Sequence, residues 1–383
     1  MSDAFDADEL WFAHLLASVP TPGSLERPAA RPARARSRGR RRYRTLAMAG
    51  GLALLVGVLG GLGLGLTRAG DHNAGAPATG SPAPTARVQP ALAGDDIRQD
   101  VVLFGGRGPG GAVLADTWTW DGKAWSAQHP LHSPPPRRAA VMSSDPRGGG
   151  VLLYGGIGTD ADKLADTWEW DGTDWRQVGP PVEQGPGPRA GALLVEDPVH
   201  RHLVLFGGQG ASAPRGSTWS WNGTTWTEER PVDAPPDCAG ASMAYDDSYR
   251  RAVLVTGAGC TAAGAAGATW TWDWHNWTRL SPAASPPPGN GQTMAYDDAS
   301  QLLVLTVPQA GRGCGLVTWT WDDTGWTLRP GAGSPVGPAA AVRDPATRRP
   351  LLLPASGETW LWSGGAWTVV AGVAPPPGSC PTP

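Results

Sequence analysis

Aromatic and polar positions alternate in a stretch that recurs along most of the chain. Residues 166–175 read D-T-W-E-W-D-G-T-D-W. The period of two predicts a strand with Trp168 and Trp170 on one face, and the Asp-Gly pair predicts a tight type I′ turn. Trp175 then begins the returning strand. The stretch therefore predicts a β-hairpin that carries three indoles.

The hairpin pattern occurs six times, at intervals of roughly fifty residues. Its W-x-W pairs are Trp118/Trp120, Trp168/Trp170, Trp219/Trp221, Trp270/Trp272, Trp319/Trp321 and Trp360/Trp362. The third indoles are Trp125, Trp175, Trp226, Trp277, Trp326 and Trp367. A fixed period of this size indicates one supersecondary unit per repeat, stacked on its neighbours around a shared core. We therefore interpret the repeated indoles as structural, because each ring buries a large area.

Two further strands precede each hairpin. The first is a short strand such as residues 242–245, which Asp246 and Asp247 close, and the second is more apolar, such as residues 151–154. In the first three units the second strand ends in Gly-Gly, at residues 105–106, 155–156 and 207–208. Six four-stranded units, joined by Pro-rich connectors, therefore fit within residues 88–371.

Units with Gly-Gly after the second strand and a Trp on the last strand resemble kelch repeats. The resemblance covers most of residues 88–371, and it implies an all-β fold, a six-bladed kelch-type β-propeller of the galactose-oxidase-like class. The chain departs from the family's pattern where W-x-W stands in place of a common Tyr. It departs again after the third unit, where Gly257-Ala258, Val307-Pro308 and Ala355-Ser356 replace Gly-Gly. We expect the later blades to be less regular.

Two segments at the start of the chain predict a cytosolic part. Residues 1–22 begin with acids and continue with apolar side chains at helical spacing, which predicts a short amphipathic helix. The candidate docking residues for a cytosolic partner are Trp11, Phe12, Leu15 and Leu16. A helix that lies on the membrane surface or frays in solution is the alternative. Residues 23–44 are a juxtamembrane segment rich in arginine.

Residues 45–66 form an uncharged apolar run that is long enough to span a bilayer as one transmembrane helix. The arginines before it predict a single-pass cell-membrane protein with a cytoplasmic N-terminus and extracytoplasmic repeats. A cleaved export signal is the alternative, although the run exceeds the usual signal length. Small residues recur every fourth position and favour a homodimer or a partner helix: Ala49, Ala53, Gly57, Gly61 and Gly65. Residues 67–87 are a Pro/Ala/Gly-rich stalk, and residues 372–383 are a C-terminal tail.

Charge argues against nucleic acid as a partner. The formal net charge is −3, and residues 1–45 hold nine Arg against five Asp and Glu, or +4, so that the remainder carries −7. An acidic soluble part does not favour phosphate binding. Enrichment in Arg, Ala, Gly and Pro indicates a GC-rich bacterial genome.

The four cysteines all lie on the predicted extracytoplasmic side, where disulfides persist. They are Cys238, Cys260, Cys314 and Cys380. Three pairings are possible. We favour Cys238–Cys260 within a blade, together with Cys314–Cys380, which would fasten the tail.

Candidate ligand-binding residues lie at the starts of the predicted inner strands. Counted back from each closing Asp, Arg137, Arg189 and Asn290 take equivalent positions, and Arg138 is adjacent. They predict a partial basic ring at a channel mouth for an acidic peptide or a sugar acid. Solvated arginine beside proline turns is the alternative. Trp274, outside the repeat pattern, is expected to be exposed.

No pattern predicts catalysis. The histidines form no metal-binding set, and the Tyr, Cys and paired His of the copper oxidases that share this fold are not supported. We expect no catalytic residue, metal or cofactor. The main hypothesis is an extracytoplasmic, membrane-anchored module that binds a protein or glycan ligand.

Two alternatives stay open. One is a carbohydrate-active oxidase, lyase or hydrolase on the same fold, because a fold does not decide a function. The other is a membrane-tethered signalling regulator with residues 1–22 as its docking helix. That architecture resembles bacterial anti-sigma factors, although their common H-x-x-x-C-x-x-C zinc motif is absent.

Overall fold

The computed structural model describes residues 83–372, without residues 211–215, 237, 261–263, 265, 310–314 and 331–334. The predicted cytosolic helix, arginine-rich segment, transmembrane helix, most of the stalk and nearly all of the C-terminal tail lie outside the described residues. Within the described part, helical structure is limited to two 3-10 turns, Pro109–Gly111 and Val182–Gln184. No helix found there has the length and hydrophobicity needed to cross a membrane.

Twenty-four strands form six antiparallel four-stranded sheets, which we call blades 1 to 6. Blade 1 contains β1 (Ala91–Asp95), β2 (Asp100–Arg107), β3 (Val113–Trp120) and β4 (Trp125–Gln128), and blade 2 contains β5 (Val141–Asp145), β6 (Gly150–Ile157), β7 (Lys163–Trp170) and β8 (Trp175–Val178). Blade 3 contains β9 (Leu193–Asp197), β10 (His202–Phe206), β11 (Thr218–Trp221) and β12 (Trp226–Glu229), and blade 4 contains β13 (Ser242–Asp246), β14 (Arg251–Val255), β15 (Thr269–Trp272) and β16 (Trp277–Arg279). Blade 5 contains β17 (Thr293–Asp297), β18 (Leu302–Pro308), β19 (Leu316–Trp321) and β20 (Trp326–Arg329), and blade 6 contains β21 (Ala339–Asp344), β22 (Arg349–Pro354), β23 (Thr359–Trp362) and β24 (Trp367–Ala371).

Each blade is built from one continuous stretch of chain, with its four strands side by side in sequence order. The first strands of successive blades contact one another, and β1 contacts both β5 and β21, so that the blades close into a ring. The predicted all-β, six-bladed propeller is therefore confirmed. No strand of one blade pairs into another blade among the described residues, and the Arg87 N–H donates to the Ala355 carbonyl at 3.0 Å where blade 1 meets blade 6.

The repeated indoles hold neighbouring blades together. The third Trp of each blade donates its Nε1–H to a buried Thr on the third strand of the preceding blade. These bonds measure 2.7 to 3.2 Å and join Trp125 to Thr359, Trp175 to Thr117, Trp226 to Thr167, Trp277 to Thr218, Trp326 to Thr269 and Trp367 to Thr318. The bond from Trp125 to Thr359 closes the circle. These hydrogen bonds explain why a Thr precedes every W-x-W pair.

The W-x-W pair lies on one face of its strand, as the period of two predicts. Trp170 is fully buried and Trp168 is partly buried, and both pack in the cluster between blades 1 and 2 with Val151 and Leu153. Trp175 joins them from the next strand, with its ring centroid 5.4 Å from that of Trp170. Apolar burial of such rings is the main stabilising contribution at each interface.

The predicted two-residue type I′ turn is wrong. Trp170 pairs with Trp175, so that four residues, from Asp171 to Asp174, form the connection. The Asp171 carboxylate accepts hydrogen bonds from the N–H groups of Thr173 and Asp174 at 2.8 and 2.9 Å, which stabilises the wider turn. Gly172 has φ +96° there, and a Cβ on it would lie 1.8 Å from the Arg98 side chain of blade 1.

Gly-Gly after the second strand has a packing cause. Gly105 has φ +61°, and a Cβ on it would lie 2.5 Å from the Arg137 carbonyl, where the connector to blade 2 crosses the strand. Gly155 makes the same approach to the Arg189 carbonyl at 2.6 Å. In blade 5 the second strand instead stays extended to Pro308, which pairs with Leu316. The expected irregularity of the later blades is visible here.

Candidate ligand-binding channel

The first strands of the six blades surround a channel with two different ends. We call the end where these strands begin the connector end, because the loops from the preceding blades arrive there. We call the other the turn end, because each first strand finishes there in its turn to the second strand. A cavity of about 180 Å³ at the connector end is lined mainly by apolar residues, chiefly Ala, Leu and Met, and one of about 120 Å³ lies at the turn end.

Arg137 and Arg189, two of the predicted ligand-binding residues, lie inside the fold at the connector end. Arg137 is only 1 % exposed. Its guanidinium donates to the Gly155 carbonyl at 3.0 Å and to both carboxylate oxygens of Asp166 at 2.7 Å. Arg189 is equally buried and donates to the Gly207 carbonyl and to the Ser217 hydroxyl. These groups could reach a ligand only by giving up internal bonds.

The same contact occurs in blade 1, where Arg87 donates to the Gly105 carbonyl and to Asp116. In blade 2, Asp166 also accepts from Trp168 Nε1 at 2.7 Å, so that one carboxylate joins the connector to the hairpin. Burial acts to raise the pKa of Asp166, but the bonds and charge of Arg137 outweigh it and hold that pKa below its usual value. The carboxylate is therefore a structural acceptor in its ionised form.

Arg138 and Asn290 are both partly buried, in contrast to Arg137 and Arg189. Arg138 is partly buried and donates to the Gln89 side chain at 2.9 Å. Asn290 does not align with Arg137, as counted from the sequence, but with Arg138, because Asp297 rather than Asp298 ends β17. Counting back from Asp298 instead of Asp297 shifts the alignment of Asn290 by one residue. Gly289 takes the place of the buried arginine in blade 5. Ligand binding at Arg137, Arg138, Arg189 and Asn290 stays a prediction.

The predicted disulfide between Cys238 and Cys260 is confirmed. Ala239 pairs with Gly259 as Arg138 pairs with Ile157, so that Cys238 holds the position of Arg137 in its own blade. A covalent bond thus fastens the connector in blade 4 where an arginine does so in blades 1 to 3. Cys314 and Cys380 lie outside the described residues.

The turn end carries a set of charges that the sequence did not predict as a site. Around the ring stand Asp96 of blade 1, Glu196 of blade 3, Asp247 of blade 4, Asp298 of blade 5 and Arg343 of blade 6, with Ser144 in blade 2. The recurring Asp-Asp pairs are the sequence signal of this set, although their position predicts only the ends of strands. The first Asp of each pair does have that role, since Asp246 accepts from the N–H of Ser248 at 3.0 Å.

Arg343 neutralises one side of this ring. Its guanidinium contacts Asp96 of blade 1 at 2.8 Å and Asp298 of blade 5 at 2.7 Å, the blades on either side of its own. Arg348 adds a contact to Asp298 at 3.1 Å. On the other side, Glu196 and Asp247 have no ion pair among the described residues.

Burial raises the pKa of Glu196 to about 8, and the charge of Asp96 adds to this while Arg343 opposes it. Glu196 is partly buried in the channel, and Asp247 is exposed at its rim, where partial desolvation raises its pKa as well. Tyr245 borders the same cavity, but its ring packs in the core between blades 3 and 4. This side of the ring therefore has unused acceptors.

Trp274 is not exposed as expected. It replaces the glycine of the equivalent turns, has φ +77°, and packs partly buried against the core between blades 3 and 4. Its ring centroid lies 5.3 Å from that of His200 and 6.4 Å from that of Tyr245. Burying the indole offsets the cost of the left-handed backbone, which sequence spacing alone could not indicate.

The described residues contain no group of three or more His, Cys, Asp or Glu side chains that could hold a metal ion. No protein-family model matches the chain, and no curated protein matches its sequence. Its class therefore rests on the architecture. Six blades around a channel define a six-bladed β-propeller, a fold that commonly serves as a protein-binding module.

Proposed function

We propose that the protein is a bacterial, membrane-anchored propeller of the kelch type, which lies outside the cytoplasm and binds a protein or glycan ligand. The apolar run at residues 45–66 and the arginines before it support the anchor and its direction. The Gly-Gly motifs and the tryptophan on the fourth strand of each blade support the kelch assignment. The disulfide in blade 4 supports an oxidising compartment.

The main support for the binding role is a contrast between two sets of polar residues. One set forms hydrogen bonds inside the fold, and the other lines the cavity at the turn end. The third Trp of each blade with its Thr partner, and the connector arginines of blades 1 to 3, are occupied by hydrogen bonds inside the fold, as Trp175 with Thr117 and Arg137 with Asp166 illustrate. At the turn end, charged residues differ from blade to blade and line an open cavity. Unpaired polar groups in a concave site are typical of ligand recognition.

Protease accessibility on intact cells tests the location. With tags at both ends of the full chain, external protease should remove the C-terminal tag and leave the N-terminal tag intact. A C-terminal tag cleaved only after the cells are opened would reverse the proposed direction, and release of the whole propeller without an N-terminal segment would indicate a cleaved signal.

Arrays of glycans and peptides, probed with the purified full chain, test the binding role. We expect saturable binding that thermal unfolding abolishes. A matched preparation of Trp175→Ala, which should loosen the propeller, controls for binding by unfolded chain. Binding that survives unfolding, or steady conversion of a glycan by the folded chain, would contradict the proposal.

A further inference from the structure

An asparagine replaces the usual aspartate in the hairpin turn of blade 3. The equivalent turns of blades 1, 2, 4 and 5 begin with an aspartate, at Asp121, Asp171, Asp273 and Asp322. In blade 3 the turn between β11 and β12 begins with Asn222, and Gly223 follows it. The backbone nitrogen of a residue that follows asparagine can attack the asparagine side chain, and glycine has no side chain to hinder this attack.

We propose that Asn222 is a site of spontaneous deamidation that the fold accelerates, with water as the second reactant. The Gly223 nitrogen gives up its proton to solvent and attacks Cγ of Asn222. The Cγ–Nδ2 bond then breaks, and ammonia leaves. Water opens the resulting five-membered imide, either at Cγ, which gives aspartate at position 222, or at the main-chain carbonyl, which gives the isoaspartyl form.

Arg147 of blade 2 contacts the peptide group that supplies the attacking nitrogen. Its guanidinium donates to the Asn222 carbonyl oxygen at 2.9 Å, and a Cβ on Gly223 would overlap it. An ion pair with Asp145 holds the guanidinium in place. When the Gly223 nitrogen loses its proton, negative charge spreads onto the carbonyl oxygen, where the guanidinium stabilises it. The Gly223 N–H donates to no group of the described residues, so that its deprotonation breaks no hydrogen bond there.

The turn also stabilises the charge that develops on the side chain. Oδ1 of Asn222 accepts from the N–H groups of Thr224 and Thr225 at 3.0 and 2.9 Å, and from the Thr225 hydroxyl at 3.3 Å. Negative charge forms on this oxygen when a nitrogen adds to Cγ, and donors that are already in place stabilise such a charge. In blade 2 the equivalent donors, with the N–H of Asp174 foremost, hold the pKa of Asp171 below its usual value. The turn therefore favours a carboxylate product.

The same dipeptide occurs in a second setting, at Asn290 and Gly291 of blade 5. Asn290 is partly buried, and its Oδ1 has no hydrogen-bond partner among the described residues. A Cβ on Gly291 would meet only the side chains of Pro308 and Pro338. Asn222, by contrast, is exposed to water. The chain thus contains its own reference for the reaction.

Peptide mapping by mass spectrometry, on the full chain kept at pH 8 and 37 °C, follows both asparagines in one sample. We expect Asn222 to deamidate at least tenfold faster than Asn290 in the folded chain, and the two rates to agree within twofold in concentrated urea. A ratio below tenfold in the folded chain, or no conversion of Asn222, would overturn the proposal. An equally large ratio in urea would do so as well, because local sequence would then explain the difference.

An assay with an isoaspartyl-specific methyltransferase tests the imide route. We expect both the aspartyl and the isoaspartyl form at position 222. Conversion to aspartate alone would indicate direct hydrolysis of the side-chain amide and would contradict the proposed attack by Gly223.

The variant Arg147→Gln keeps hydrogen-bonding groups and removes the charge, and it should slow deamidation of Asn222 at least threefold. Arg176→Gln is the matched control, since the Arg176 side chain is largely exposed, and it should leave the rate unchanged. Equal rates in wild type and the folded Arg147→Gln variant would show that the guanidinium does not assist the reaction, and would overturn the proposed acceleration.

Asp121→Asn is a second test, which applies even if Arg147→Gln does not fold. It places an asparagine before Gly122 in the turn of blade 1, where alanine and threonine side chains, and not an arginine, lie against the glycine. Asp121 accepts from two backbone N–H groups, as Asn222 does, so that the two turns differ mainly in the arginine. We expect the new asparagine to deamidate at least threefold more slowly than Asn222, and an equal or higher rate would contradict the role of Arg147.

Discussion

The interfaces between blades and the turn end of the channel follow opposite rules. Every interface has the same indole and threonine in the same hydrogen bond, from Trp125 with Thr359 to Trp367 with Thr318. At the turn end, equivalent places carry Ser144 in one blade, Glu196 in the next and Arg343 in the last. An interface must be repeated because the ring closes only if all six junctions have the same geometry. The channel has no such requirement, and its residues are free to match a ligand.

The connector end lies between these extremes. An arginine fastens the connector in blades 1 to 3, the Cys238–Cys260 disulfide does so in blade 4, and blade 5 has Gly289 at the same place. The connector is thus fastened at this position in blades 1 to 4 by two different chemistries, and blade 5 lacks such a side chain. The following predictions compare how much substitutions in each of these regions change the stability of the fold.

The largest effect is expected at the interfaces. Trp175→Ala in blade 2 and Trp326→Ala in blade 5 should each lower the free energy of unfolding by about 3–5 kcal/mol, because each empties a buried indole site and leaves a Thr hydroxyl unpaired. Chemical denaturation of the full chain measures both. If one variant lost less than half as much as the other, the six interfaces would not be equivalent.

A smaller loss is expected at the connector end. Arg137→Ala leaves Asp166 without its ion pair in a partly buried place and should cost about 3 kcal/mol. Arg176→Ala is the matched control, since Arg176 is largely exposed in its contact with Glu169 and should change stability by less than about 0.5 kcal/mol. Denaturant titration of the two variants compares them. Equal losses would mean that the buried contact has no special role.

In the channel, a substitution should raise the stability of the fold, whereas the substitutions above lower it. Glu196 keeps its proton in the folded chain up to a pKa of about 8, whereas its usual pKa is 4.5, so that the wild type loses stability as pH rises from about 4.5 through 8. Glu196→Gln removes this loss and should raise the Tm by about 2 °C or more at pH 8.5, with no change at pH 4.

Differential scanning calorimetry at the two pH values checks this, because the difference between variant and wild type isolates Glu196 from other titrating groups. Glu183→Gln, at an exposed position in a 3-10 turn, provides the control and should leave the Tm unchanged at both. A Glu196→Gln variant that is less stable than wild type at pH 8.5 would show that the carboxylate forms a stabilising contact there.

The smallest effect concerns the backbone at the channel mouth. Ala139 has φ +53°, and the equivalent residues of blades 3 to 5 are glycines: Gly191, Gly240 and Gly291. Ala139→Gly relieves a left-handed alanine and should raise the free energy of unfolding by about 0.5 kcal/mol, since unfolded-chain entropy offsets part of the gain. Thermal denaturation against Ala161→Gly, a loop alanine at φ +61°, separates this position from left-handed alanine in general.

The sequence allowed the blade number, strand order and one disulfide to be predicted, because Trp at a fixed period is a strong constraint on packing. It did not reveal the charged turn end. Arg343 and Asp96 are far apart in the chain, and only ring closure makes them neighbours. The first Asp of each pair caps the turn, and this visible role gives no indication that the second Asp belongs to the charged turn end. Counting from the second Asp of the pair in blade 5 also shifts the alignment of Asn290 by one residue. Trp274 was misjudged because burial depends on the adjacent blade, which supplies His200.

Because no strand is shared between described blades, the ring is modular. A Cβ on Gly357 would lie 3.5 Å from the backbone of Ala86, where the chain enters blade 1, and one on Gly372, just beyond the last strand, would lie 3.1 Å from Glu358. Entry and exit of the ring therefore converge on adjacent residues of blade 6. A short linker could join them, and new termini could be cut at another connector, such as residues 179–181, so that the gene can be circularly permuted with every blade left intact.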